Sequence, residues 1–352
     1  MTTQKPPRNS NIELLRIAAM LLVLILHADF MALGQPTAEE LADNPGGTLV
    51  RIGFETFSII AVNVFVLISG WFSIKASLRG LFTLLFQCAF FYLAIFGAMY
   101  ALGYRECEGQ SYVRLLSDSD NIWWFVRKYL VLYLLSPLLN TVVNKTNRKQ
   151  LGIIVFSILL LQTVIGFALH AKWYSNGYSA TAFIGLYMLA RYVRLYADGI
   201  SRSKAAAIFT ACFAANTLFC VMLTGNIYRV DHYALSYLNP LVILQALSLL
   251  LITVKTEIGH NRLINYSAKS ALAIYLLHQH VLLRPVYYDM IRDIYRTYSS
   301  ISFCVILCAT IAAWFIAGIG TDLLRRYLWD RIIAITPQPI KEFRLPLNLY
   351  NP

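Results

Sequence analysis

The chain has 352 residues, of which 58% are hydrophobic and only 14% charged, with a mean hydropathy of +0.58. A soluble domain carries roughly a quarter of its residues as Asp, Glu, Lys and Arg, so a water-soluble fold is excluded, and no polar stretch is long enough to form a separate soluble domain. The formal net charge of +12 would point to nucleic acid in a soluble protein, but in a membrane protein it is first tested against topology, because Lys and Arg concentrate in cytoplasmic loops.

Crossing the hydrocarbon takes about 20 mostly apolar residues per helix. In chain order the candidate spans are Ile12–Leu33, Val50–Phe72, Leu81–Gly103, Ile122–Val143, Leu151–His170, Ser179–Leu195, Ala205–Gly225, Leu238–Val254, Ala271–Tyr288 and Ile301–Gly320. The expected fold is all-α, a polytopic membrane protein of about ten transmembrane helices. The membrane domain is expected to occupy residues 1–330 and a cytoplasmic tail residues 331–352. Asn239-Pro240 marks the start of the eighth span, since proline suits a first helical turn. The fourth span is unusual in holding Arg127 and Lys128, just after Trp123 and Trp124. A tryptophan pair reads as an interface belt, with the two cations snorkelling outward or lining a polar acceptor pocket.

Charge alternates along this order. With the N-terminus inside, the inner segments hold Lys5, Arg8 and Arg16, then Lys75 and Arg79, then Lys145, Arg148 and Lys149. Arg191, Arg194, Arg202 and Lys204 follow, then Lys255, Arg262 and Lys269, and finally Arg325, Arg326, Arg331, Lys341 and Arg344. The outer connections carry Glu39, Glu40 and Asp43, then Glu106, Glu108, Asp118 and Asp120. This is the positive-inside pattern, it leaves both termini cytoplasmic, and it accounts for the excess charge without nucleic acid. The first apolar run is too long for a signal-peptide core and ends in no small-residue cleavage site, so it is expected to stay. Five of the six cysteines lie within apolar runs and Cys107 falls in a loop; neither a disulfide framework nor a zinc spacing is present, and no metal is expected.

Ionisable residues inside a span are costly and face a partner or a cavity. The first span holds Glu13, Arg16 and His27. Arg16 and His27 are eleven residues apart, close to three turns, which puts both on one face about 16 Å apart along the axis. Glu13 lies one turn before Arg16, on nearly the same face, and can pair with it. Alone, such a pair also reads as an end-of-helix contact that snorkels to the interface. An imidazole deep in a span needs an internal hydrogen bond or a wet pocket, and function is the favoured reading for His27.

Five segments in order resemble the acyltransferase 3 family. Asn11-Ile-Glu-Leu-Leu-Arg16 with apolar residues to His27 is similar to its Arg/Lys-x10-His signature. Val62-Asn-Val-Phe-Val-Leu-Ile-Ser-Gly70-Trp-Phe resembles its second-helix pattern, with Asn63 where the family favours Asp. Trp123-Trp-Phe125 with Tyr129 through Pro137, Phe183-Ile-Gly-Leu-Tyr-Met-Leu-Ala-Arg191 and Ser270-Ala-Leu-Ala-Ile-Tyr275-Leu-Leu-His278 are similar to three later blocks. The resemblance implies an O-acyltransferase of the bacterial inner membrane, commonly one that acetylates surface polysaccharides. Acetyl-CoA, or another acyl-CoA, would be the donor substrate, with no permanently bound cofactor. A glycan or lipid-linked glycan would be the acceptor.

On that reading His27 and Glu13 are the candidate catalytic residues, with His27 as general base on the acceptor hydroxyl. Arg16, Lys75 and Arg79 would meet the phosphates of acyl-CoA, and Trp124, Arg127 and His278 would line the acceptor site. His278 also reads as a helix–helix bonding residue, as do Ser69 and Asn63, and Gly70 as a close-packing position. The extracytoplasmic hydrolase-like domain that some family members carry is not expected here, so transfer would finish in the membrane domain or on a partner. The rival reading is a transporter or flippase of a lipid-linked saccharide, a class often built on inverted repeats; no repeat is detectable.

Overall fold

The computed structural model describes residues 9–104 and 123–335, and every regular element among them is helical. Lys5, Arg8, Cys107, the acidic outer connection Glu106, Glu108, Asp118 and Asp120, and the tail residues Lys341 and Arg344 lie outside the described residues. The helices are α1 (Ser10–Leu26), α2 (Ala38–Asp43), α3 (Pro45–Ser58), α4 (Ala61–Phe72), α5 (Leu78–Ala101), α6 (Trp124–Lys145), α7 (Arg148–Leu161) and α8 (Ala180–Tyr196). They continue with α9 (Arg202–Leu223), α10 (Ile227–Arg229), α11 (Pro240–Val254), α12 (Arg262–Ser267), α13 (Ala271–His278), α14 (Leu283–Thr297) and α15 (Ser300–Ile335). Wider π-helical turns follow α1 at His27–Met31, α7 at Gln162–Ala168 and α10 at Val230–Ala234.

Seven of these stretches are long and apolar enough to cross a bilayer: Ser10–Met31, Pro45–Phe72, Leu78–Ala101, Trp124–Lys145, Arg148–Ala168, Arg202–Leu223 and Ile301–Ala334. They match seven of the expected spans. The sixth and eighth correspond to shorter helices, α8 with 17 residues and α11 with 15. The ninth is corrected. The run Ala271–Tyr288 is not one helix, because α13 ends at His278 and α14 begins at Leu283. The second span is also interrupted, by a turn at Ile59-Ile60.

Local chemistry explains the starts. Pro45 and Pro240 sit in the first turns of α3 and α11, where a missing N–H is harmless. Asn239 Oδ1 accepts from Leu241 N at 2.9 Å, as the Asn-Pro signal leads one to expect. Asn147 and Gln150 form a reciprocal capping box on α7. Pro137 lies inside α6 without ending it.

The chain divides into two compact units, Met1–Ile74 with Lys128–Lys269, and Lys75–Arg127 with Ser270–Pro352. In the first unit α1 packs on α3, α4, α11 and α12, and α4 packs on α8. The α4–α8 contact rests on Gly70, where an added Cβ would lie 2.5 Å from the Tyr187 carbonyl oxygen. In the second unit α5, α13 and α15 pack together and α14 lies on α13 and α15. Asp322 anchors that unit, fully buried. It accepts from Arg325 at 2.7 Å, Arg326 at 2.8 Å and Ser270 at 2.9 Å.

Candidate functional site

In the first unit the sequence brings its polar residues to two levels of α1. At the starting end, Asn11 Nδ2 donates to the Thr253 and Thr256 carbonyls at 2.8 and 2.7 Å, fixing α1 to the end of α11. Two residues on, Glu13 Oε1 accepts from Arg16 Nη1 at 2.7 Å. The Glu13 side chain is 6% exposed and that of Arg16 30%, so the carboxylate is inside and the guanidinium reaches outward. The Tyr129 and Ser69 hydroxyls lie 3.4 Å apart, and Arg16 acts electrostatically on Tyr129. Ser69 therefore stands beside the cationic end as well as packing its helix, since it also donates to the Phe65 carbonyl.

A second polar knot fixes the turn after α4. Asn140 Oδ1 accepts from Tyr187 at 2.6 Å and from Ser73 at 3.0 Å, and Asn140 Nδ2 donates to the Ile74 carbonyl at 2.9 Å. Ser73 adopts φ 62°, in the left-handed region, and this knot holds it there. Arg191 donates to the Trp71 carbonyl and Arg194 lies 4.9 Å from the Trp71 ring. The sequence placed Arg194 as a topology marker and Arg191 as a topology marker that also ends a family-like block. Their position against Trp71 makes them neighbours of the Ser-Gly-Trp-Phe turn.

The other level is the end of α1. The helix is continuous from Ser10 to Leu26, and His27 opens the π-helical turn half-buried. This turn carries Asp29, whose Oδ1 accepts from Arg51 Nε at 2.9 Å. Arg51 also donates to the Gly34 carbonyl at 2.6 Å. One turn along α3, Glu55 is 1% exposed; the Phe30 backbone N–H donates to its carboxylate, while Oε2 has no hydrogen-bond partner among the described residues. Asp29, Arg51 and Asp231 act on Glu55 electrostatically. Asp29, Arg51 and Glu55 were missed by the sequence reading, although each lies in an expected span and the rule that singled out His27 applies to them equally.

Nearby, the Gln35 amide donates to Asp231, and the Tyr228 and His232 rings stack with centroids 3.8 Å apart. Burial raises the Asp231 carboxyl above its usual range, against the lowering pull of His232 and the Gln35 hydrogen bond. Burial, with the neighbouring His232 adding to it, holds the His170 imidazole below the usual histidine range. The His170 and His232 centroids are 5.3 Å apart, so these residues form an aromatic patch with Tyr228 and Tyr233 that their spacing along the chain does not suggest. Asn63, the departure from the family pattern, donates to the Tyr237 carbonyl at 3.0 Å and pins the irregular segment before α11.

Lys75, Arg79, Trp124, Arg127 and His278 fall in the second unit. Lys75 and Arg79 are exposed at the start of α5. His278 is fully buried, with Nδ1 donating to the Ile274 carbonyl at 2.6 Å and its ring 5.6 Å from that of Tyr287. Trp123 is not a belt residue: it is buried, donates Nε1–H to the Leu276 carbonyl at 3.2 Å and faces His280 at 5.9 Å. Trp124 and Arg127 are half-buried. No group of three or more metal-ligating side chains occurs among the described residues.

Helices of this length and composition, with ionisable side chains held on the inner faces of one unit, define a multi-pass membrane protein built around a polar site. The acyltransferase domain family model matches residues 9–319, and the chain belongs to that family, acyltransferase 3. No curated protein and no solved structure gives a significant match to it.

Proposed function

We propose that this acyltransferase moves an acyl group, acetyl in the first instance, from acyl-CoA on the cytoplasmic side to a hydroxyl of a cell-surface glycan or its lipid-linked precursor, in a bacterial inner membrane. The observation that carries this reading is the single unbroken helix that holds the Glu13–Arg16 pair at one end and delivers His27 at the other. A CoA thioester needs cationic contacts for its phosphates. Arg16, with its guanidinium directed outward by Glu13, supplies one, and Lys75 and Arg79 are further candidates. The extended pantetheine arm spans the distance along α1.

At His27 the imidazole takes the acceptor hydroxyl proton as the oxygen attacks the thioester carbon. The C–O bond forms, the C–S bond breaks, and the proton passes to the departing thiolate to give free CoA. Glu13 serves through Arg16, and no residue other than His27 needs to exchange a proton.

His27→Ala, reconstituted in lipid nanodiscs, is expected to lose acyl-CoA turnover by 10²-fold or more, the lower range for a general base. Arg16→Ala is expected to raise KM for acyl-CoA chiefly. Turnover preserved in a folded, inserted His27→Ala protein would refute the base assignment. Movement of labelled saccharide with no acyl transfer by the native protein would favour a transporter instead.

A further inference from the structure

The feature of the first unit that the acyl-transfer scheme leaves unused is Glu55. Placing a carboxyl inside a membrane protein is unfavourable unless its oxygens are satisfied. One Glu55 oxygen is satisfied by the Phe30 N–H, on the same π-helical turn that begins with His27. The other, Oε2, has no partner among the described residues, and neither has the fully buried Ser58 hydroxyl three residues along the same helix. Positions three apart on a helix share a face. Single-turn π-bulges are frequent at functional sites. Two of them, at His27–Met31 and Val230–Ala234, supply Asp29, the Phe30 N–H and Asp231 around Glu55.

The charge balance of this place is specific. Three carboxyls, Glu55, Asp29 and Asp231, accompany one guanidinium, and Arg51 is already committed to Asp29 and the Gly34 carbonyl. A bound anion would therefore sit among three carboxyls, with the Arg51 guanidinium already engaged by Asp29 and the Gly34 carbonyl. A neutral hydroxyl group or an amine would find acceptors. Beside Asp231 the exposed Tyr228 ring, stacked on His232, offers a flat apolar face of the kind a sugar ring covers.

We propose that Glu55, with Asp29 and Ser58, forms the seat of the acceptor next to His27, and that this seat selects a neutral or amino sugar at the reacting end and rejects an acidic one. The inference rests on the acyl-transfer reading for its place in the reaction, but it makes a binding claim that stands separately.

The test uses the whole protein in lipid nanodiscs with three matched acceptors: a methyl glucoside, the corresponding 2-amino glycoside and the corresponding glucuronide. Binding is measured by saturation-transfer NMR and acyl transfer by release of free CoA. The native protein is expected to bind and acylate the first two and to disfavour the glucuronide at least about 10-fold. Glu55→Gln is expected to raise KM for the glucoside about 10-fold, the loss of one hydrogen bond made by the carboxyl, with a smaller change in kcat. Glu55→Asp should fall between the two. Where Glu55→Gln does not fold, Glu55→Asp and Asp29→Asn carry the measurement. Equal binding of glucoside and glucuronide, binding of none of the three, or an unchanged KM in Glu55→Gln would overturn the seat. Selective binding without any release of CoA would instead overturn the acyl-transfer reading while leaving the seat in place.

Discussion

Arg51 joins residues that no short motif connects, and its energetics follow from how little water reaches it. The Arg51 side chain is 17% exposed and that of Asp29 11%, so neither charge is well hydrated. A pair in this setting adds little net stability over an apolar replacement, because desolvation opposes the Coulomb gain; removing one partner is what hurts. Arg51→Met strands Asp29 near a second buried carboxyl and is expected to destabilise the protein by about 3 kcal/mol, the lower end for a broken buried pair. Adding Asp29→Asn should recover more than half of that loss. Thermal unfolding of the single and double variants in nanodiscs checks both expectations, and a double variant no better than the single would refute the charge argument. The same residues show what was legible. Glu13, Arg16 and His27 stood out because helical spacing alone puts them on one face of one helix. Asp29, Arg51 and Glu55 meet only because a widened turn and a second helix bring them together, and spacing along the sequence does not report that.

Among the helices, the close approach of α4 and α8 in the first unit depends on an absent side chain. A Cβ at Gly70 would lie 2.5 Å from the Tyr187 carbonyl oxygen and 2.8 Å from the Ala190 Cβ, contacts that backbone cannot relieve without moving α8 from α4. Tyr187 also donates to Asn140 and accepts from Ile74 N, so a shift of α8 would loosen the turn after α4. Gly70→Ala is therefore expected to destabilise by about 1–3 kcal/mol, the range for overpacking. Gly53→Ala, with open space around its Cβ, should be neutral or slightly stabilising in its helix. Unfolding midpoints of the two variants make the comparison, and equal effects would show that packing at Gly70 is not limiting. Hydropathy located the helices well because burial and lipid contact both demand apolar residues. It did not reveal the turn at Ile59-Ile60, since two isoleucines raise the average they interrupt. Nor did it show the break after His278, where α14 continues with enough apolar residues to extend the run.

For the molecule as a whole, the charge pattern determines which chemistry each end of α1 can meet. The basic segments alternate with the acidic connections in the order expected for a cytoplasmic Arg16, an expectation the sequence alone carries because the bias is compositional. The proposed mechanism depends on it: acyl-CoA is a cytoplasmic solute, and Arg16 is useful to it only from that face. Asp43, the last residue of α2, and Ser203, near the start of α9, are both exposed and fall in segments expected on opposite sides. In a variant lacking the native cysteines, Asp43→Cys is expected to react with a membrane-impermeant maleimide in intact cells. Ser203→Cys should react only after the membrane is permeabilised. The reverse labelling would turn the Glu13–Arg16 end of α1 outward, away from any cytoplasmic thioester. The Arg16–His27 line would then have to serve a ligand arriving from outside, and the acyl-CoA assignment would fall with the orientation.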